Sequence, residues 1–95
     1  MGSQVGEIEE LREKIMEATV DVLKAVKRRI EYVEALGKVK RERGLPIRDP
    51  EAEKRLIVRV REEGVKMGLD PDFCEKLVRM LIEYSVVVQM REAQR

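Results

Sequence analysis

Ninety-five residues allow one domain at most, and a chain this short buries only about two-thirds of the surface its unfolded form exposes, so it gains stability readily from a partner. Glu, Lys, Arg, Ala and Leu make up 48 of the 95 residues and only three are aromatic, a composition of long helices rather than sheets. Twenty basic against nineteen acidic residues leave a net charge of +1, so no global field draws the chain to nucleic acid or to an anionic membrane, and any anion site must be local.

In chain order, Met1–Gly6 are expected to be disordered or a cloning remnant. No proline interrupts Val5 to Arg43, and apolar residues recur there as Ile8, Leu11, Ile15, Ala18, Val22, Ala25, Tyr32, Leu36 and Val39, in steps of three and four. This predicts a first helix over 5–43, roughly 55 Å long. Gly44-Leu45-Pro46-Ile47-Arg48 reads as a loop. Asp49-Pro50-Glu51 then supplies an N-cap, a proline at the first helical position and an acid in the first turn, predicting a second helix over 50–67 with Leu56, Ile57 and Val60 on one face. Asp70-Pro71-Asp72 repeats the signal for a third helix over 71–93, carrying Phe73, Leu77, Val78, Leu81 and Val88. The expected fold is all-α, a single domain of three helices. A first helix so much longer than a domain of this size is wide cannot be covered by the remaining fifty residues, so an intertwined helical homodimer is the economical arrangement. Periodicity alone also fits a plain antiparallel coiled-coil dimer, a non-enzymatic dimerisation module with no site.

Polar residues on the apolar stripes carry the functional signal. Arg29 takes a step of the first stripe between Ala25 and Tyr32, where a coiled coil would place Leu or Val. Lys40 lies eleven residues on, about 20° around the helix and about 16 Å along it, so both cations can bracket one small ligand. Glu53 stands in register with Leu56, Ile57 and Val60, and Ser85 and Gln89 continue the four-residue steps of Leu77 and Leu81. Isolated charges in a helical core cost several kcal/mol each unless paired, which favours a polar pocket for a small organic anion. The structural alternative is a register-fixing salt bridge of Arg29 or Lys40 with Glu53.

What the sequence lacks narrows the chemistry. With no histidine and a single cysteine there is no His-assisted nucleophile and no Cys/His metal set, and Gly37 and Gly44 lack the pattern of a phosphate cradle. No cofactor and no metal are expected, leaving catalysis by positioning and fixed charge, or binding alone. Cys74 reads as a small core residue. The basic run Lys38, Lys40, Arg41, Arg43 is interrupted by Glu42 and has no accompanying aromatics, so no nucleic-acid partner is expected. No apolar stretch approaches a membrane span and the N-terminus lacks a secretory apolar core, which predicts no membrane partner and a cytoplasmic location. The absence of Asn and His, with 41% charged residues, suits a thermophile's cytosol.

Leu11-Arg12-Glu13-Lys14-Ile15, Arg28-Arg29, Gly37-Lys38-Val39-Lys40, Pro46-Ile47-Arg48-Asp49 followed by Glu53, and Glu83-Tyr84-Ser85 with Gln89 together resemble the all-helical chorismate mutases. The likeness runs from about residue 7 to residue 92. It implies an isomerase of aromatic amino acid biosynthesis, on the shikimate route to Phe and Tyr, built as an interlocked homodimer that turns chorismate into prephenate. Carried over position by position, it gives one substrate carboxylate to Arg29 and the other to Arg12 of the partner subunit. Lys40 and Gln89 bond the ether oxygen, Glu53 and the Asp49 backbone hold the ring hydroxyl, Ser85 assists at a carboxylate, and Arg48 lines the mouth. Helix arithmetic agrees with the split between chains, because Arg12 precedes Arg29 by seventeen residues, about 25 Å along one helix. The family usually has an arginine between the two acids that open the second helix. Here the chain reads Glu51-Ala52-Glu53, leaving Arg48 or Arg55 to substitute, or a weaker hold on substrate. A relative on the same fold that eliminates pyruvate from isochorismate is the alternative activity; Glu53 and Ser85 favour the mutase.

Overall fold

The computed structural model describes residues 3–95, and the expectation for Met1 and Gly2 lies outside them. The described residues are all-α, with three helices in the order α1 (Ser3–Arg43), α2 (Pro50–Lys66) and α3 (Pro71–Ala93). Helix α1 starts two residues before the expected Val5, so Ser3–Gly6 are helical.

The helix ends follow from local chemistry. Helix α1 closes where Gly44 turns left-handed at φ 65°; Leu45 N–H donates back to the Lys40 carbonyl at 2.8 Å and Gly44 N–H to that of Arg41 at 3.3 Å, satisfying the terminal acceptors. Lys40, Arg41 and Arg43 crowd this last turn, at the negative end of the helix dipole. Asp49 caps α2, its side chain accepting from Ala52 N–H at 3.2 Å, with Pro50 at the first position and Glu51 and Glu53 in the first turn. Gly68, at φ 77°, ends α2 in the same way as Gly44 ends α1, with Leu69 N–H on the Gly64 carbonyl at 2.8 Å. Asp70 then caps α3 through Asp72 N–H at 2.8 Å.

Contacts divide the chain into a segment ending at Glu31 and a unit of Tyr32–Arg95. The first is helix alone. Its Ile8, Leu11, Ile15, Val22 and Leu23 are exposed, and among the described residues only Val26, Arg29 and Ile30 are half-buried. Ion pairs along it, such as Lys27 with Glu31 at 3.9 Å, are solvated and contribute a few tenths of a kcal/mol each.

The second unit holds the core: Val33, Cys74, Val78, Ile82 and Val88, joined by the polar Ser85, Gln89 and Glu92. Its inner faces differ by about one helical position from the sequence reading. On α1 the inward residues are Val33 and Gly37, with Lys40 half-buried, while Tyr32 is 71% exposed and Leu36 and Val39 also face solvent. On α2 Ile57 and Val60 turn inward and Leu56 outward; on α3 Phe73 and Leu77 lie outside while Cys74, Val78 and Ile82 lie inside. Close helix approach is the reason. A β-carbon on Gly64 would stand 2.6 Å from Cys74 Sγ, and one on Gly37 would stand 3.2 Å from Gln89 Cγ and from Glu92 Cβ. The helices meet on their small residues, and the larger apolar ridges are left outside. Beyond this core, Arg61 ties α2 to α3 through Asp72 at 2.9 Å and Glu75 at 3.0 Å, and Arg79 joins Glu75 at 2.8 Å. The hydrogen bond from Arg79, reinforced by Arg61, holds the Glu75 carboxyl below its ordinary range despite the opposing effect of desolvation.

The Gly64–Cys74 contact has a measurable consequence. Alanine at 64 gains up to about 1 kcal/mol in helix propensity. The overlap with Cys74 outweighs that gain, and Gly64→Ala is expected to cost about 1–3 kcal/mol in urea unfolding. Adding Cys74→Ala should return most of the loss; a Gly64→Ala protein as stable as the parent would refute the close approach.

Candidate active site

Five of the residues expected at a site, Lys40, Asp49, Glu53, Ser85 and Gln89, lie in the Tyr32–Arg95 unit. Lys40, in the last turn of α1, donates from Nζ to the Ile47 carbonyl at 2.6 Å, which ties the helix end to the loop before α2. The next loop residue, Arg48, reaches both Glu53 of α2 and Glu83 of α3. Ser85 and Gln89 stand four residues apart on the buried face of α3. Ser85 Oγ donates to the Leu81 carbonyl at 2.8 Å. Gln89 is only 6% exposed, and its Oε1 is buried without a hydrogen-bond partner among the described residues. A polar atom in that state costs about 1–3 kcal/mol, so it is not there for stability.

Gly37 explains how Gln89 is held. The absent side chain lets α1 lie against the Gln89 backbone, whose Cα would be 3.3 Å from any β-carbon at 37, and Lys40 follows Gly37 by three residues on the same helix face. Gln89 thus packs against α1 at Gly37, while the Lys40 ammonium, from the next turn of α1, lies on the Ile47 carbonyl. Arg41 adds a second tether, donating from Nη1 to the carbonyls of Glu92 at 2.5 Å and Arg95 at 3.1 Å.

Glu53 is half-buried, and its cation is Arg48, with Arg48 Nε to Glu53 Oε2 at 3.2 Å and Arg48 Nη2 to Glu53 Oε1 at 3.1 Å. It is not the Lys40 pairing considered from sequence. The hydrogen bonds to Glu53 first, then to Glu83, push the Arg48 guanidinium above its ordinary value, and the same contacts hold the Glu83 carboxyl low. Asp49 is engaged as the α2 cap, its carbonyl accepting from Glu53 N–H at 3.0 Å.

The two other arginines belong to the first segment. Arg29 is half-buried, and desolvation lowers its pKa. Arg12 is a surface residue with a 73% exposed side chain, 3.6 Å from Glu9. Sequence reading missed Arg41 and the joint hold of Arg48 on two carboxylates. Both are charged residues without apolar periodicity, and only their distant partners, Glu92 and Glu83, reveal them. Among the described residues no group of three or more Cys, Asp or Glu is placed to hold a metal ion, and no helix is long and apolar enough to cross a membrane.

Three helices with a lysine, a carboxylate, a serine and a glutamine on their inner faces define a small polar-site helical protein, and comparison with known sequences gives its family. The chain belongs to the chorismate mutase type II family, whose sequence model matches residues 11–90. It is 29% identical over 85 residues to a chorismate mutase of Methanocaldococcus jannaschii, a match covering 90% of this chain and 86% of that protein. It is also 33% identical over 81 residues to the T-protein of Enterobacter agglomerans and 32% identical over 78 residues to that of Haemophilus influenzae, covering 85% and 82% of this chain. The matches take in only 22% and 21% of the two T-proteins, so the chain spans about a fifth of their length.

Proposed function

We propose that this chain is a chorismate mutase, an isomerase that rearranges chorismate to prephenate. The observation that carries the reading is the placing of Lys40, Glu53, Ser85 and Gln89 on the inward faces of three helices, where packing alone selects apolar residues. The reaction suits them. In a Claisen rearrangement C–O cleavage runs ahead of C–C formation, so negative charge builds on the ether oxygen and no proton need move. Lys40 and Gln89 supply hydrogen-bond donors to that oxygen, each worth on the order of 3 kcal/mol at the transition state. Arg29 takes one carboxylate and Arg12 of the partner subunit the other, clamping the diacid in its compact reactive conformer. Ser85 assists at a carboxylate, and Glu53 with the Asp49 backbone receives the ring hydroxyl.

A homodimer is part of this proposal. The exposed ridge of Ile8, Leu11, Ile15 and Val22 on α1, and that of Phe73, Leu77, Met80, Tyr84 and Val87 on α3, are apolar surfaces of the kind that partners cover. The charge-rich composition, free of Asn and His, supports a cytoplasmic setting at high temperature.

The direct test is incubation with chorismate and with isochorismate, following ultraviolet absorbance and identifying products. Prephenate from chorismate is the expected result. Salicylate and pyruvate from isochorismate would reassign the chain to the lyase reaction, and no turnover of either would leave a helical assembly without this chemistry.

A further inference from the structure

Arg48 uses all three guanidinium nitrogens on two carboxylates. Nε and Nη2 face Glu53 at 3.2 and 3.1 Å, while Nη2 and Nη1 face Glu83 at 2.8 and 3.4 Å. Both edges of the planar group are thus occupied, and each carboxylate is gripped at both oxygens, an arrangement that fixes its plane as well as its position. Glu53 is the more shielded of the two acids, at 27% side-chain exposure against 65% for Glu83. The neighbouring position on α2 that could have carried a second cation is Ala52.

We infer that Arg48 is a positioning residue for substrate binding: braced against Glu83 on α3, it holds the Glu53 carboxylate in the orientation that receives the ring hydroxyl and offsets the charge of the two acids beside a dianionic substrate. The inference rests on the chorismate mutase reading, in which Glu53 is the hydroxyl acceptor. Each Glu53 oxygen keeps a lone pair beyond the one Arg48 occupies, so the grip leaves the acceptor available. The hydroxyl takes no part in the bonds that break and form, so its hold counts in ground and transition states alike, and its loss falls on KM more than on kcat.

The test is a cycle of Arg48→Ala, Glu53→Ala and the double variant, assayed for prephenate formation alongside thermal unfolding. In the parent background Arg48→Ala is expected to raise KM about fivefold, as suits partly exposed charge-assisted contacts. In the Glu53→Ala background the same change should move KM by less than about 1.5-fold, because the residue it orients is gone. Equal increases in both backgrounds would mean that Arg48 touches substrate itself, and an unmoved KM with a lowered unfolding midpoint would reduce it to a brace; either result overturns the inference. If Arg48→Ala does not fold, Arg48→Lys, which keeps the charge and loses the fork, enters the same cycle with the same expected non-additivity. A parent protein without chorismate turnover would remove the functional reading and this inference together, whereas equal effects in an active enzyme remove the inference alone.

Discussion

Replacing Gln89 with methionine is expected to leave the protein as stable as the parent or more so, while kcat for prephenate formation falls about 10²- to 10³-fold. The two halves of that expectation have separate causes. Gln89 is buried with an Oε1 that accepts nothing among the described residues, and an unbranched apolar side chain of similar length removes the desolvation penalty, raising stability by up to about 1–3 kcal/mol. Its role in the proposed reaction is to donate to an oxygen that gains charge only as the C–O bond opens, so the loss falls on kcat. Lys40→Ala should lose turnover to a similar extent but also destabilise the chain, because its Nζ holds the Ile47 carbonyl at 2.6 Å and with it the loop before α2. Urea unfolding and a chorismate assay on the two variants separate the donors. Unchanged turnover in Gln89→Met would withdraw Gln89 from the reaction.

Mixing an Arg12→Ala protein with an Arg29→Ala protein, each nearly inactive alone, is expected to restore activity to about a quarter of the parent's per chain. Random reassociation makes about half the dimers mixed, and each mixed dimer has one site with both arginines and one with neither. Arg12 is solvated and only loosely paired to Glu9, a contact worth little to its own chain. Arg29 is a half-buried charge that gives up hydration, which is why its pKa falls, although a guanidinium stays charged at neutral pH. Absence of any recovery after reassociation would place each site within one chain.

Much of this architecture is legible in the sequence, and the illegible part has a common cause. Asp49-Pro50 and Asp70-Pro71 mark the starts of α2 and α3, and Gly44 and Gly68 mark the stops, because caps and left-handed turns are chemistry of a few adjacent residues. Ser85 and Gln89 are recognisable as polar intrusions on a helical stripe. The inward faces are another matter. Periodicity weights large apolar residues and so selects Tyr32, Leu36, Phe73 and Leu77, whereas the packing between helices selects Gly37, Gly64 and Cys74, whose merit is how little space they take. Arg48 escapes for a different reason. A loop has no period, and its two partners are five and thirty-five residues away. Arg12 is distinguishable from any other surface charge only through family resemblance.

Gly64 against Cys74 and Gly37 against Gln89 touch α3 at points fifteen residues apart, about 22 Å along its axis. Two missing β-carbons so far apart act as detents: sliding α3 by one turn, about 5.4 Å, would carry Cys74 and Gln89 off both notches at once. The depth at which the Gln89 amide is presented is thus inherited from backbone shape, and no polar contact to Oε1 is needed to fix it.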